Sequence, residues 1–264
     1  MKTVSLLLTA IVVILVYSCS SDNNVSTDNA NVSSYESFKE EEAYERAIVE
    51  TDLNDSLLEV GSLYYTKEDG SSYEVGAFLD KNQKVVKMTE TYVDAKTGQY
   101  GKNTFYFKKG KKIVSNEHFE EKIGSKSIFV ERISYYATNG KVITSKKRTA
   151  DFEEDIDKSI FSNCEKTNCS TKNAQDALNQ DGKFITTFQG FVVNGRDNYL
   201  TVGENSKDGY VSALMIQFAD DSNIKKLQSA EMAMIGKKLT VNFQKMTDQS
   251  GFQFQVLTGI KIIE

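Results

Sequence analysis

Proline and tryptophan are both absent from the 264 residues, and histidine occurs once, at His118. Without proline, turns must rely on Gly, Asn, Asp and Ser, which adopt special backbone angles or bond their own backbone. One histidine leaves too few ligands for a metal site, and no phosphate loop, zinc-protease helix or serine-hydrolase elbow occurs. Ser115 precedes His118 by three residues, which places the two on opposite faces of a strand. We therefore predict no catalytic residue, no metal and no cofactor.

An excess of basic residues is also lacking. The formal net charge is -5, with 37 acidic against 32 basic side chains. Binding to nucleic acid requires a cationic surface, so this balance argues against a general nucleic-acid partner. Thirteen Tyr and fifteen Phe are present, and these strand-favouring residues make the composition typical of a β-rich protein.

The first residues have the features of a secretory signal. Lys2 gives a positive start, Leu6–Val16 form a short apolar run, and Val16-Tyr17-Ser18-Cys19 precede a polar stretch. This segment resembles the lipobox of bacterial lipoproteins of the Bacteroidota type, although Tyr17 is bulkier than the residue usual at its position. The resemblance implies a signal over residues 1–19, lipidation of Cys19, and an anchor in the outer membrane, on its periplasmic or surface face.

An uncleaved membrane anchor is the alternative for this segment. The apolar run is short for a span of about 20 residues, but not far below that length. Residues 20–34 then contain few apolar side chains among Ser, Asn, Asp and Thr, too few to bury the surface that ordering requires. We expect them to form a flexible tether that spans on the order of 20 Å.

Two cysteines remain after Cys19. Cys164 and Cys169 lie in a polar run, and in an envelope compartment disulfides form and persist. We therefore predict a disulfide between Cys164 and Cys169, placed in a linker over residues 164–180. A metal site is the alternative, but it would need further ligands.

Residues 35–163 are predicted to form a helix followed by an antiparallel β-meander. The helix is expected to begin near Ser37, where Ser37-x-x-Glu40 has the spacing of a capping box, and to reach Ile48. Seven short β runs follow, with turns every dozen or so residues and no helix-length gap, which predicts pairing between neighbours. The runs are Ser62–Thr66, Tyr73–Leu79, Val85–Val93, Asn103–Phe107, Lys112–Glu120, Ser127–Ala137 and Lys141–Ser145.

Two local features refine this meander. Asn139-Gly140 is the strongest hairpin signal, because Asn-Gly suits a type I′ turn. Alternation places Phe105 and Phe107 on a core face and Tyr106 on a face exposed to water. A further helix is expected over Ala150–Phe161, because Phe152, Ile156 and Ile160 recur at helical spacing.

Residues 181–264 are predicted to form three strands, a helix and two more strands. Gly190 and Gly259 mark bends in the first and last strands. This is the element order of an OB-fold barrel. With Gly236-Lys237-Lys238-Leu239 leading into the fourth strand, the stretch resembles OB-like domains of bacterial lipoproteins near the tRNA anticodon-binding type. The helix is expected over Ile224–Met234. The expected fold class is mainly β (α+β), an antiparallel meander followed by a five-stranded OB-like barrel with one helix.

Function follows less directly from these patterns. OB-folds bind single-stranded nucleic acid or oligosaccharide, but residues 181–264 hold nine acidic and nine basic side chains. Phe252 and Phe254 are in phase with core residues, so we expect them to be structural. The leading hypothesis is a non-catalytic, membrane-tethered envelope protein that binds a protein or glycan through its β surfaces. The alternatives are a glycan hydrolase with dispersed carboxylates and an oligonucleotide binder.

Overall fold

The computed structural model describes residues 34–124, 126–204 and 206–263, which form a mainly β fold. The predicted signal, Cys19 and the tether as far as residue 33 lie outside these residues. The described part contains four α-helices: α1 (Ser34–Asp52), α2 (Lys172–Asn179), α3 (Ser222–Ser229) and α4 (Glu231–Met234). Its fourteen strands are β1 (Leu58–Gly61), β2 (Tyr65–Thr66), β3 (Ser72–Leu79), β4 (Val85–Asp94), β5 (Gln99–Lys108), β6 (Lys111–Ile123), β7 (Lys126–Tyr136), β8 (Val142–Ala150), β9 (Ser162–Cys164), β10 (Thr187–Asn194), β11 (Asp197–Gly203), β12 (Val211–Ile216), β13 (Leu239–Thr247) and β14 (Gln253–Ile262).

All fourteen strands belong to one large mixed sheet, which is not closed. From β3 to β8 each strand pairs with the next in antiparallel fashion, as the regular turn spacing predicts. β1 and β2 both pair with β3, and β9 pairs with β8. β1 and β9 were not expected from the sequence.

The C-terminal strands have a different pairing. β10, β11 and β12 are antiparallel neighbours, whereas β14 pairs with β12 in parallel and with β13 in antiparallel fashion. An isolated antiparallel bridge joins Thr187 to Lys238. The single helix expected over Ile224–Met234 is two short helices, because the backbone of Ala230 leaves the helical region at φ -135° and ψ 35°. Asp221 caps α3 through its side chain.

The two glycine bends are found where the sequence places them. The ladder between β10 and β11 shifts register between Phe188 and Gly190, whose φ is +126°. The ladder between β13 and β14 shifts beside Gly259, which pairs with Asn242 just before the irregularity.

The type I′ turn lies in a different hairpin from the expected one. Such a turn needs positive φ at both central residues, and Lys109 and Gly110 have φ of 53° and 75°. At Asn139-Gly140 only Gly140, at 80°, is positive. The hairpin at Asn139 is confirmed, but its turn type is not.

The helix expected over Ala150–Phe161 is also wrong. β8 extends to Ala150, and a 3-10 helix occupies only Glu153–Lys158. Ile156 is buried, whereas Phe152 and Ile160 are 60% and 91% exposed. The apolar stripe therefore has only one member in the core, which is too little to hold a full helix against the sheet.

The main hydrophobic core is shared between the meander and the C-terminal strands. Its buried members include Tyr65 and Tyr73 from the meander, Ala177 from α2, and Phe184 and Leu200 from the C-terminal part. The segment predicted as a linker thus contributes α2 to this core. We call the sheet face under α2 the inner face.

Part of the opposite, outer face of the meander is buried rather than exposed to water. α1 packs across it, and Tyr44 and Ile48 contact a second cluster built on Tyr106, Val114 and Tyr135. The expectation that Tyr106 faces water is therefore wrong: it is 7% exposed. The helix itself is confirmed, and its length is greater than expected.

Candidate functional site

A groove of about 760 Å³ crosses the C-terminal strands where they approach β2. We call it the aromatic groove. Residues of β11, β12, the hairpin between β13 and β14, and the segment before β2 contribute to it. Its main lining residues are aromatic or aliphatic, with one cation: Tyr64, Tyr199, Phe252, Phe254, Val192 and Lys245.

Strand alternation builds one side of the aromatic groove. Tyr199 and Thr201 of β11 line it, whereas Leu200 and Val202 point into the core and are fully buried. Thr201 pairs with Ala213 of β12. Ala213 also lines the groove.

Phe252 is exposed, contrary to expectation. Its exposed fraction is 65%, whereas Phe254 is half-buried. The Asp248 carboxylate accepts hydrogen bonds from the backbone N–H groups of Ser250 at 2.8 Å and Phe252 at 3.0 Å, and Gly251 has φ of +88°. This turn places Phe252 at the tip of the hairpin, before β14 begins. The Asp-x-Ser-Gly turn was the sequence signal that could have corrected the assignment.

Charge in the aromatic groove is neutralised within the protein. Lys245 forms a 2.5 Å ion pair with Glu74 of the meander. Gln255 fixes the base of the groove: its Oε1 accepts from the backbone N–H of Tyr64 at 2.8 Å, and its Nε2 donates to Ser212 at 3.0 Å. The groove therefore has rigid uncharged polar groups beneath its aromatic side chains.

A second cavity, of about 510 Å³, lies where the meander meets the C-terminal part. We call it the junction cavity. The turns before β3 and β5, the start of α2, and residues ahead of β10 and β12 contribute to it. Its charged and aromatic lining residues are Lys67, Asp69, Tyr73, Glu90, Tyr92, Asp94, Lys96, Lys183 and Tyr210.

Glu90 is the buried acid of the junction cavity. It is 5% exposed, and its carboxylate accepts hydrogen bonds from the Tyr73 hydroxyl and, at 2.6 Å, from the Asn103 amide. Burial raises the pKa of Glu90 above its ordinary value, although both hydrogen bonds oppose that change. Glu90 therefore keeps its proton to a higher pH than an exposed glutamate does.

Glu90 begins a polar row across the inner face. Neighbouring strands place Glu90 opposite Asn103, Asn103 opposite Glu117, and Glu117 opposite Arg132. Arg132 holds Glu117 through two hydrogen bonds, of 3.0 Å and 2.5 Å. Sequence reasoning treated this face as apolar core and missed the row. The sequence signal that could have revealed it is Glu90, which lies two residues after Met88 on the same strand and therefore shares its buried face.

The predicted disulfide is not formed, since Cys164 and Cys169 are both free. Cys164 ends β9 and pairs with Ser145 of β8, whereas the backbone N–H of Cys169 donates to the Tyr136 hydroxyl at 3.0 Å. Two separate anchors thus hold the cysteines apart. Burial raises the pKa of the Cys169 thiol to about 12.

The other expected features have mixed outcomes. Ser115 bonds the Tyr136 hydroxyl on the inner face, whereas His118 lies on the opposite face across from Glu131. Among residues 34–124, 126–204 and 206–263, no group of three His, Cys, Asp or Glu side chains could hold a metal ion. Within the same ranges, no helix combines the length and apolar character needed to cross a membrane.

Comparison of the chain with protein-family models, with curated proteins and with solved structures found no match. The function is therefore inferred from the chain's own residues.

Proposed function

We propose that this chain is a lipid-anchored envelope protein that binds an oligosaccharide in the aromatic groove and performs no reaction on it. The observation that carries the proposal is the set of exposed or half-buried rings at Tyr64, Tyr199 and Phe252, beside rigid amide and hydroxyl groups. Sugar rings present apolar C–H faces that pack on aromatic rings, and hydroxyls that bond to amides. A few fixed polar groups among apolar side chains are typical of ligand sites.

We further propose that residues 187–262 form an OB-like module. Its support is the strand pairing: three antiparallel strands, a parallel pair between the third and fifth, and a bridge from the first to the fourth. Oligosaccharides bind OB modules at the second and third strands and at the loops joining strands one to two and four to five. Tyr199 and Ala213 lie on the second and third strands, Phe252 lies in the loop between the fourth and fifth, and Val192 lies near the end of the first strand.

An oligonucleotide is the weaker candidate for the same groove. Binding to a nucleic-acid backbone relies on cations that are free to contact phosphate. The single lysine that lines the aromatic groove, Lys245, is already paired with Glu74. A neutral ligand suits this charge balance better.

A glycan hydrolase is also weaker. Hydrolysis of a glycosidic bond usually needs two carboxyl groups that flank the bond. Of the three acids lining the junction cavity, Asp69 and Asp94 accept backbone hydrogen bonds within their own turns, and Glu90 is held by Tyr73 and Asn103. Each of these described acids is thus held by a hydrogen bond within the cavity wall.

A protein partner is the second candidate for the β surfaces. The observation that favours it is the hairpin between β10 and β11, where Val192 and Val193 are 53% and 69% exposed. Val193→Asp would abolish binding of a protein partner, but would leave polysaccharide binding intact because Val193 does not line the groove.

Affinity electrophoresis tests the oligosaccharide proposal. Native gels containing soluble neutral polysaccharides, such as xyloglucan, galactomannan and mixed-linkage glucan, should retard the wild-type protein in at least one case. Phe252→Ala and Tyr64→Ala should each remove most of the retardation. Phe218→Ala is the matched control, because Phe218 is also 65% exposed but lies outside the groove.

Two outcomes would contradict this proposal. One is equal migration in every polysaccharide gel and in a gel without polysaccharide. The other is tight, salt-sensitive retention of single-stranded oligonucleotides at low salt, which would favour the nucleic-acid alternative.

The anchor proposal rests on Cys19 and the residues before it. Cys19→Ala should move the protein from the membrane fraction to the soluble fraction and abolish metabolic labelling with a fatty acid. Unchanged fractionation together with unchanged labelling would refute lipidation at Cys19.

A further inference from the structure

The junction cavity holds two lysines that form no direct ion pair with a described residue. Lys67 and Lys183 place their Nζ atoms 4.6 Å and 5.7 Å from the centre of the Tyr210 ring. Neither lies within ion-pair distance of any carboxylate that the structure describes, whereas Lys96 at the cavity edge contacts Asp69 and Asp208 at 3.6 Å each. Both ammonium groups therefore lie close to the Tyr210 ring, and that of Lys183 also lies 5.1 Å from the centre of the Phe184 ring.

The carboxylates of the junction cavity do not serve as their partners. Asp69 accepts a hydrogen bond from the backbone N–H of Ser71 at 2.9 Å. Asp94 likewise accepts one from the backbone N–H of Lys96 at 3.0 Å. Glu90 is held by its two donors and is biased toward its neutral form. The acids thus stabilise the cavity walls and act on the two lysines only at longer range: Asp69 interacts with Lys67, and Glu90 and Asp176 favour the charged form of Lys183.

Lys67 disfavours the charge of Lys183. Partial desolvation lowers the pKa of Lys183 and the nearby Lys67 lowers it further, whereas Glu90 and Asp176 oppose part of this change. Like charges in a partly desolvated site are unfavourable, and a bound anion between them would relieve that repulsion. This arrangement is typical of a site that is completed by an anionic ligand.

The other residues that line the junction cavity indicate which groups the ligand has besides its negative charge. Tyr92 and Tyr210 supply ring faces, and Gln99, Asn103 and Asn173 supply amides. Their aromatic faces suit the C–H face of a sugar ring, and their amides suit hydroxyl groups. A cavity of about 510 Å³ accommodates one or two such rings, since ligand pockets generally span about 300–1,000 Å³.

We propose that the junction cavity binds an acidic monosaccharide unit, whose carboxylate contacts Lys67 and Lys183 while its ring packs on the tyrosines. This site is separate from the aromatic groove, with which it shares no lining residue. It also joins the two parts of the chain, because Glu90 and Lys67 come from the meander whereas Lys183 and Tyr210 come from the C-terminal part.

Titration calorimetry on the full chain tests the proposal with three probes: glucuronate, glucose and inorganic phosphate. Glucuronate should bind saturably, and its affinity should fall as salt is raised. Glucose and phosphate should each bind at least about tenfold more weakly, because glucose lacks the carboxylate and phosphate lacks the sugar ring.

Single substitutions locate the site. Lys67→Gln and Lys183→Gln should each weaken glucuronate binding about tenfold or more, since each removes a charge-assisted contact with the carboxylate. Lys84→Gln is the control, because Lys84 is exposed in the turn between β3 and β4 and does not line the cavity. Phe252→Ala should leave glucuronate affinity unchanged, which separates this proposal from that of the aromatic groove.

Three results would overturn the assignment. Equal affinity for glucose and glucuronate would show that the lysines do not recognise the carboxylate. Equal affinity for phosphate and glucuronate would mark a simple anion site. The absence of saturable glucuronate binding to the wild-type protein at low salt would also refute it, and this result does not depend on the folding of any variant.

Discussion

The aromatic groove and the junction cavity contain similar aromatic side chains but differ in whether their lysines form ion pairs. In the groove, the lysine is paired with Glu74, and exposed rings dominate the surface. In the cavity, two lysines are left without carboxylate partners, and a glutamate is buried instead. The groove therefore suits a neutral ligand, whereas the cavity suits an anionic one.

The difference follows from where each site lies in the fold. The aromatic groove is on a surface where strand alternation exposes every second side chain. The junction cavity lies at the boundary of the main core, where Phe184, Tyr65 and Tyr210 pack together. Charged groups at such a boundary are only partly solvated, so their pairing has larger energetic consequences than pairing at the surface.

Loss of the Phe184 ring should have the largest effect on stability. Phe184 is fully buried, and its ring centre lies 4.9 Å from Tyr65, 4.6 Å from Tyr73 and 5.0 Å from Tyr210. Removal of a large buried aromatic side chain costs about 3–5 kcal/mol. We expect Phe184→Ala to lower the free energy of unfolding by that amount, measured by urea denaturation followed by circular dichroism.

The same variant tests whether the two parts depend on one core. Hydrogen exchange should show loss of protection in both β4 and β11, because both pack on the shared cluster. Phe252→Ala, which removes an exposed ring of the same type, should change stability by no more than about 0.5 kcal/mol. Loss of protection confined to the C-terminal strands would show that the meander is stable by itself.

The meander was predictable because its turns and alternation are local. Each hairpin is encoded by neighbouring residues, such as Lys109 and Gly110, and the resulting register needs no distant contact. The helix at Ile156 failed for the opposite reason: its apolar spacing was correct, but the sheet buries one residue of the three. Local patterns gave the pairing order, whereas burial depended on tertiary packing.

The candidate sites were less predictable than the strands. The carboxylate of Glu90 and the ammonium of Lys183 come from positions 93 residues apart, and neither belongs to a motif. Phe252 was in phase with the last strand, but a turn held by Asp248 places it outside the ladder. Cys164 and Cys169 are close in sequence, but separate hydrogen bonds fix them in different places.

An added methyl group at Gly101 should disturb the junction cavity and spare the aromatic groove. A Cβ atom at Gly101 would lie 2.3 Å from the Tyr92 ring, which crosses over this glycine from the neighbouring strand. We expect Gly101→Ala to displace the ring, to cost about 1–3 kcal/mol of stability, and to weaken glucuronate binding. Denaturation and calorimetry measure the two effects.

Gly76→Ala is the matched control for that substitution. Gly76 also lies within a strand, but the nearest atom to its added Cβ is Glu59 Oε1 at 3.7 Å, an ordinary contact. Its effect on stability should be small, and glucuronate affinity should not change. Equal losses of glucuronate affinity in the two variants would show that the position of the Tyr92 ring is irrelevant to the cavity.

Glu90→Gln should change the pH dependence of stability. Burial raises the folded-state pKa of Glu90, the Tyr73 and Asn103 hydrogen bonds and Lys183 lower it, and Glu117 raises it, with a net increase. The folded state therefore binds the proton more tightly than the unfolded state does. This contribution to stability is fully present below the unfolded pKa and is lost as pH rises through the folded pKa.

The glutamine variant has no such titration. Relative to wild type, its free energy of unfolding should therefore increase as the pH rises from about 4 to neutral. Urea denaturation at a series of pH values measures this difference. Glu120→Gln on β6, which carries a half-buried acid outside the cavity, serves as the control. A difference between wild type and Glu90→Gln that is constant with pH would show that folding does not change the pKa of Glu90.

The smallest effect is expected at Lys245, and it distinguishes the two sites most directly. Lys245 and Glu74 have side chains 38% and 33% exposed, and such pairs usually contribute about 0–1 kcal/mol. Lys245→Gln should therefore alter stability little and should leave retardation by a neutral polysaccharide nearly unchanged. Lys225→Gln, which breaks an ion pair with Asp220 outside the groove, controls for loss of a surface charge. If Lys245→Gln alone weakened ligand binding and flattened its salt dependence, the groove would bind an anion, and the contrast with the junction cavity would be lost.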